Sequence, residues 1–262
     1  MPVERIPCYV LAFHDAPTIA ASLDWLANWR DRLELIVLEN PSEATETLIR
    51  PDLEARLRRG QIDRYLLFDE NISNNAFEVA LLLDGERWQA APHVLLTDGD
   101  LVGSGGWLDE QVDLLDRRPE VFAVGISLDM ENLPLAQFPE AGGWVPPPRA
   151  EHDDHVEGLT GIHLLMLRGA DLAAYMRYQA ANRLRFVDST MHHFAYRVLD
   201  RRWARTKGAS ARHLTWDLYA QPDHPYARMK AGKTLREHWH HTRYCGVTEI
   251  GRAGERYVPS PV

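Results

Sequence analysis

The chain has 262 residues, 45% of them hydrophobic and 26% charged, with a formal net charge of −9; that length suits one large domain or one domain with an appendage, and the acidic balance disfavours a nucleic-acid binder, which needs a basic footprint. Two cysteines, Cys8 and Cys245, make neither a disulfide framework nor a metal knuckle and read as thiols in a reducing compartment. No stretch approaches the ~18 to 20 apolar residues of a membrane span, and MPVERIPCYVLAFHD lacks a basic region followed by a long apolar run, so the expectation is a cytoplasmic protein without integral membrane association.

CYVLAF (8–13) reads as a short buried strand. TIAASLDWLANW (18–29) follows as a helix, with Ile19, Leu23 and Leu26 at helical spacing behind Thr18 as N-cap. LELIVLEN (33–40) and RYLLFDEN (64–71) are the next strands, and a helix from Asn75 to Asp84 puts Phe77, Ala80 and Leu81 on one face. HVLLTDGD (93–100) is a fourth strand. GWLDEQVDLLDRRP (106–119) is a helix aligning Leu108, Val112 and Leu115, closed by Pro119, and VFAVGISL (121–128) is a fifth strand. This alternation predicts an α/β sandwich with a mostly parallel sheet. Ligands of such sheets bind beyond the carboxyl ends of the strands. The polar strand ends His14-Asp15, Glu39-Asn40, Asp69-Glu70 and Asp98-Gly99-Asp100 are therefore expected on one rim.

The second half is less regular. LPLAQFPEAGGWVPPPRAEHDDHVEG (133–158) is rich in Pro and Gly and too long for a plain connector; such loops often cover active sites, and Trp144 within it is the expected apolar platform. LTGIHLLMLRG (159–169) reads as a strand, DSTMHHFAYRVLDRR (188–202) as a helix with Met191, Ala195 and Val198 inward, and GASARHLTWD (208–217) as a late strand or extended segment. After Tyr219 the tail is polar, basic and aromatic with weak periodicity; between Arg228 and Arg256, Lys and Arg outnumber Asp and Glu. EHDDH (151–155) and HWHH (238–241) lack the spacing of a closed zinc site and read as a mobile polar loop and as a solvated helix face or phosphate-facing tail.

In a strand, residues i and i+2 point to the same side, so Asp98 and Asp100 can face one site, with Gly99 leaving room for a ligand. Two hard oxygen donors on a rim suit Mg2+ or Mn2+ rather than zinc; the bland alternative for DGD is a solvated turn. Asp188 precedes a helix, where an Asp serves as N-cap or, with its charge favoured by the helix N-terminus, as a base that takes a proton from a hydroxyl.

CYVLAFHDAPTIAASLDWLANW, LELIVLENPS, NISNNAFEVALLL and HVLLTDGDLVGSGGWLDEQVDLL follow one another at sensible spacings. As an ordered set they resemble the family-2-like glycosyltransferases of the GT-A fold. The resemblance covers roughly residues 7 to 130 and continues more loosely to about 217. It implies one α/β domain of GT-A type: residues 1–130 as a nucleotide-sugar-binding half, 131–220 as an irregular acceptor-binding half, and 221–262 as a C-terminal tail. It further implies a metal-dependent transfer of a sugar from a nucleoside-diphosphate donor, a UDP-sugar, to an acceptor that the sequence does not name, with Mn2+ or Mg2+ as cofactor. Carried over by position, Asp100 and His213 are the metal ligands, and Asp98 binds the ribose or reaches the metal through water. Glu39 meets the uracil ring, Ala12 and His14 line the base pocket, and Asp188 is the catalytic base. The chain departs from the pattern in carrying Glu39 where Asp is usual, in lacking a Gly in NISNN, and in reading Val187-Asp188 where many inverting members have Glu-Asp. Two rival classes stand beside this reading: a nucleotidyltransferase, disfavoured because FHDAPT has neither the glycines nor the Arg or Lys of a phosphate loop, and a non-catalytic nucleotide-binding protein of the same fold.

Overall fold

Strands buried on both faces read as continuous apolar runs because helices cover each side of the sheet. That is the composition of β1 (Ile6–Phe13), β2 (Leu33–Asn40), β3 (Arg64–Phe68) and β4 (Val94–Asp98). The computed structural model describes residues 5–231, 243–251 and 254–260. In it these four strands pair in parallel in the order β3-β2-β1-β4. The chain steps outward from β1 to β3 and then returns to the opposite flank of β1. That reversal opens a crevice at the carboxyl ends of β1 and β4.

Alternation along the strands divides the interior in two. Val10, Leu35 and Val37 face a core closed by α1 (Ala16–Leu26), α2 (Arg50–Arg59) and, later in the chain, the helix Trp107–Arg117. Tyr9, Ile36 and Leu38 face the opposite core, into which α3 (Asn75–Asp84) sends Phe77 and Ala80. After β4 come β5 (Leu101–Gly103), the helix α4 (Trp107–Arg117), β6 (Val121–Leu128), and the short hairpin β7 (Ala150–Glu151) and β8 (Val156–Glu157). Next follow β9 (Leu165–Leu167), α5 (Gly169–Ala181), α6 (Asp188–His193), β10 (Arg202–His213), α7 (Leu214–Tyr219) and α8 (Pro225–Ala231). The sheet continues past β4 as β9-β6-β10-β8-β7, with β5 hooked onto the end of β10. β9 runs antiparallel to both its neighbours.

Several elements differ from expectation. Helix α1 starts two residues early, and its cap is Asp15 rather than Thr18: the Asp15 carboxylate accepts from Thr18 N at 3.1 Å, with a proline in the first turn. The segment 188–202 is α-helical only to His193 and then widens into a looser turn at Phe194–Val198. Met191 and Ala195 are buried as expected, but Val198 is 48% exposed, because the chain turns away through Asp200 at φ 50° to begin β10 at Arg202. Only Leu165–Leu167 of 159–169 is strand, since Gly169 already opens α5. A Cβ there would meet Trp88 O at 2.4 Å and Ala91 O at 2.5 Å. Part of the stretch read as an irregular tail is regular: β11 (Val247–Gly251) and β12 (Gly254–Val258) form a hairpin antiparallel to β3. No helix of the described residues is long and apolar enough to cross a membrane.

Candidate active site

The crevice between β1 and β4 is a cleft of about 430 Å³, within the ~300–1,000 Å³ usual for small-molecule sites. Its floor is the turn after β4. Gly99 N donates to Leu11 O at 2.7 Å, and a Cβ on residue 99 would lie 2.8 Å from that oxygen. The room that glycine makes is therefore taken by the backbone of β1 rather than by a ligand, which corrects the sequence expectation. Locked in this way, the turn presents Asp98 and Asp100 to the cleft.

His213 is the last residue of β10, held opposite Leu101 by the pairing of β5 with β10. Leu214 N donates to Asp100 O at 2.8 Å, and Thr215 Oγ1 donates to Asp100 Oδ2 at 2.7 Å while lying 3.1 Å from His213 Nδ1. The His213 ring stacks on Trp216, with centroids 4.8 Å apart and planes 2° from parallel. The junction of β10 and α7 thus clamps the DGD turn and fixes one imidazole over it.

A second imidazole comes from the approach to β9. Asp98 N donates to Ile162 O at 3.2 Å, Leu164 N donates to Thr97 Oγ1 at 3.3 Å, and Leu164 takes φ 46°. Between these anchors His163 points at the floor, with Nε2 3.6 Å from Asp98 Oδ2. Burial, reinforced by the nearby His213 and opposed by Asp100, pushes the His163 pKa down to about 3, so the ring is neutral. Ligand atoms of Asp98, His163 and His213 all lie within 4.8 Å of one another. Asp100 Oδ1 beside them is buried with no hydrogen-bond partner. One carboxylate and two imidazoles, with a second carboxylate adjacent, fit a divalent cation.

The remaining walls differ in character. Leu11, Phe13 and Asn74 line it from the first half of the chain, and Phe138, Trp144, Trp216, Tyr219 and Tyr226 line it from the second. Trp144 packs against Tyr219 at 5.7 Å and Phe138 at 6.0 Å, so the segment expected as a cover does reach the cleft.

The structure brings Asp98, Asp100 and His213 together and adds His163 and Thr215. Ala12 is wholly buried within β1, and its side chain packs in the core on the α1 side. His14, at φ 67°, stands at the border, its ring edge-on to Tyr226 at 5.7 Å and its Nε2 3.6 Å from Glu43. Glu39 is fully buried, accepts a hydrogen bond from Tyr65 Oη, and has its pKa raised by burial; it does not line the cleft. Asp188 is the first residue of α6 rather than its cap. The cap position is Val187, and Asp188 Oδ1 accepts from Ser189 N at 2.6 Å. Burial raises the Asp188 pKa. It does not line the cleft, but Phe186 N donates to Asn75 Oδ1 at 3.2 Å, tying the start of α6 to α3 beside the cleft residue Asn74.

Most of the polar rim is structural. Asp15 caps α1, Asn40 accepts from Ile72 N and donates to Ser73 O, and Asp69 accepts from Tyr257 Oη at 2.9 Å. EHDDH is an ordered hairpin turn: Asp154 binds His155 at 2.8 Å and Arg118 at 3.1 Å. HWHH lies outside the described residues. His163 was not singled out in the sequence; the available signal was a lone histidine at the head of the apolar run IHLLML.

No family model matches the chain. Curated relatives include the uncharacterized proteins L142, L137 and L138 of Acanthamoeba polyphaga mimivirus, at 37%, 35% and 35% identity over 87%, 90% and 87% of this chain. These matches cover 47%, 33% and 26% of the relatives, so the chain spans less than half the length of each. Among solved structures, it matches the mannosyltransferase PcManGT from Pyrobaculum calidifontis in complex with GDP-Man and Mn2+ at TM-score 0.52 and 16% identity, over 90% of this chain and 64% of that one. It matches TarS of S. aureus at 0.51 and 15%, over 82% and 38%. It also matches GalNAc-T7 with UDP, GalNAc and Mn2+ at 0.54 and 9%, over 80% and 44%. The fold is the GT-A type of nucleotide-sugar glycosyltransferases.

Proposed function

We propose that the chain is a metal-dependent glycosyltransferase that takes its sugar from a nucleoside diphosphate. The observation that carries this reading is the cluster of Asp98, His163 and His213 on the floor of a cleft at the strand-order reversal. A divalent ion held by that cluster supplies Lewis-acid stabilisation of the charge that builds on a departing diphosphate. Two imidazoles beside a carboxylate favour Mn2+ over the harder Mg2+, which prefers all-oxygen surroundings. Thr215 keeps Asp100 turned toward the cluster. The nucleoside lies along Leu11, Phe13 and Asn74; uridine is our first choice of base. His14 stands beside that wall and Ala12 packs behind it, while Glu39, enclosed with Tyr65, supports β2. The aromatic wall around Trp144 and Trp216 excludes water from the reacting centre and offers ring faces to a sugar. Asp188 takes the proton from the acceptor hydroxyl.

The test is calorimetric titration of UDP and GDP with Mn2+, with Mg2+ and with EDTA. One nucleotide should bind only with metal, Mn2+ should outperform Mg2+, and His163→Ala should erase that difference. Equal binding in EDTA would sink the reading. A thermal shift gives a second readout, because a ligand at ~100 times its Kd adds about 2.7 kcal/mol to stability.

A further inference from the structure

Arg205 breaks the pattern of the strand that carries it. It lies on the same face of β10 as Trp203, two residues on, where alternation places an apolar side chain, and it is 8% exposed. Buried guanidinium groups are normally paired. No carboxylate among the described residues pairs with this one, no hydrogen bond to it is seen among them, and its Nε is buried without a partner. The nearby Glu157 is directed instead to Arg202 at 3.9 Å and His152 at 3.8 Å. Burial alone, unopposed by any neighbouring charge, pulls the Arg205 pKa down; a guanidinium nevertheless stays charged at neutral pH.

The backbone around it is built to hold the group in place. The pairing of β10 with β6 is interrupted between Arg205 and Ser210, and Thr206 Oγ1 bridges the bulge by accepting from Ser127 N at 3.0 Å and donating to Ala209 O at 2.6 Å. Bulges next to sites aim side chains. Gly158 lies under the guanidinium, so close that a Cβ there would meet its Nη2 at 3.1 Å. Arg205 lines a throat of about 10 Å³ with Thr160, Gly161, His163 and Trp144. That is roughly the space of one water, or of the terminal oxygens of an anion. His163 and Trp144 belong to the throat and to the main cleft alike, so the throat adjoins the cleft beside His163.

We infer that Arg205 is a specificity residue that receives a carboxylate or phosphate borne by a sugar, so that either the transferred sugar or the acceptor of this enzyme is acidic. The inference rests on the nucleotide-sugar reading of the cleft.

Binding to wild type, Arg205→Lys and Arg205→Met tests it in the presence of Mn2+. UDP-glucuronic acid is compared with UDP-glucose, and glucuronic acid and glucose 6-phosphate are compared with glucose beside Mn2+ and UDP. At least one acidic probe should bind tenfold or more tightly than its neutral counterpart. A preference among the UDP-sugars assigns the charge to the transferred sugar; a preference among the free sugars assigns it to the acceptor. Arg205→Lys should keep part of the preference. Arg205→Met should lose it with an unchanged or raised Tm, because it removes a buried unpaired charge. If Mn2+ and UDP bind but no acidic probe is preferred, the inference fails and the reading of the cleft stands. If GDP binds with Mn2+ in place of UDP, the same comparison is made with GDP-linked sugars; if neither nucleotide binds with Mn2+, both fail. A lowered Tm in Arg205→Met with the preference intact would make Arg205 a structural residue.

Discussion

The two halves of the sheet solve different problems. From β1 to β4 the chain is regular, and nearly every polar strand end is consumed in holding the fold: Asp15 caps a helix, Asn40 bridges to the start of α3, Asp69 anchors Tyr257, and Glu39 is enclosed with Tyr65. After β6 the chain is less regular, with a long irregular connection and several short elements, yet it supplies Trp144, His163, His213, Thr215 and Trp216. The regular half makes a ledge, and the irregular half brings the chemistry to it. The DGD turn is held from both, since β1 fixes its backbone while α7 fixes its carboxylate.

If that division holds, substitutions in the irregular half change rate and metal affinity while sparing Tm, and those in the regular half do the reverse. The largest effect is expected for Asp188→Asn. Loss of a general base costs ~10²–10⁴-fold in rate, so transfer to the acceptor should collapse while Tm and donor affinity persist; near wild-type turnover would leave Asp188 as the opening residue of α6 and nothing more. Its pH dependence has a definite sign. Burial raises its pKa, so the acid limb of kcat/KM should be displaced upward from that of an ordinary aspartate, rate rising as the group ionises, and the limb should vanish in the Asn variant. The same shift makes the ionised group slightly destabilising, so its contribution to stability is present at low pH and is lost as pH rises through the folded pKa.

Thr215→Val comes next. It removes the hydroxyl that orients Asp100, and losses of such supporting contacts typically weaken metal binding ~10–100-fold. Titration of Mn2+ checks this, and an unchanged affinity would mean that Asp100 is not part of the ion's surroundings. Gly99→Ala tests the shared turn: a Cβ 2.8 Å from Leu11 O should cost about 1–3 kcal/mol by overpacking, visible in urea unfolding together with weaker metal binding. The smallest effect is expected for Asp15→Ala, about 1 kcal/mol for a lost cap, with Mn2+ and nucleotide affinity unchanged. A loss of affinity there would blur the division between the halves.

The same division explains what the sequence disclosed. β1, β2, β4, β6, α3 and α4 follow from apolar periodicity because each buries a continuous or striped face, and the DGD turn stands out because it ends such a run. α2 escaped because RPDLEARLRR is mostly charged and buries only Leu53, Leu57 and the ion-paired Arg56. α5 escaped because its apolar residues spread around the helix in GADLAAYMRYQAA. His213 was legible through the resemblance, whereas His163 reaches the floor through a left-handed residue, one backbone hydrogen bond and one bond to the Thr97 hydroxyl, none of which has a spacing signature. The roles of Glu39 and Asp188 depended on side-chain direction, which strand and helix assignment do not determine.

The hairpin of β11 and β12 bears on how the chain emerges during synthesis. Arg64 on β3 and Glu249 on β11 meet at 3.0 Å although 185 residues separate them. Until that late segment arrives, the outer edge of β3 has no strand beside it, and such edges recruit strands from other molecules. Pairing across so long a stretch is slow. Once it forms, the margin of the sheet is β12, whose exposed residues include Glu255 and Arg256, charges of the kind that discourage a further strand. A chain ending before residue 243 should therefore keep the DGD turn and most of both cores yet self-associate through β3, its aggregation rising with concentration while the 262-residue chain stays dispersed.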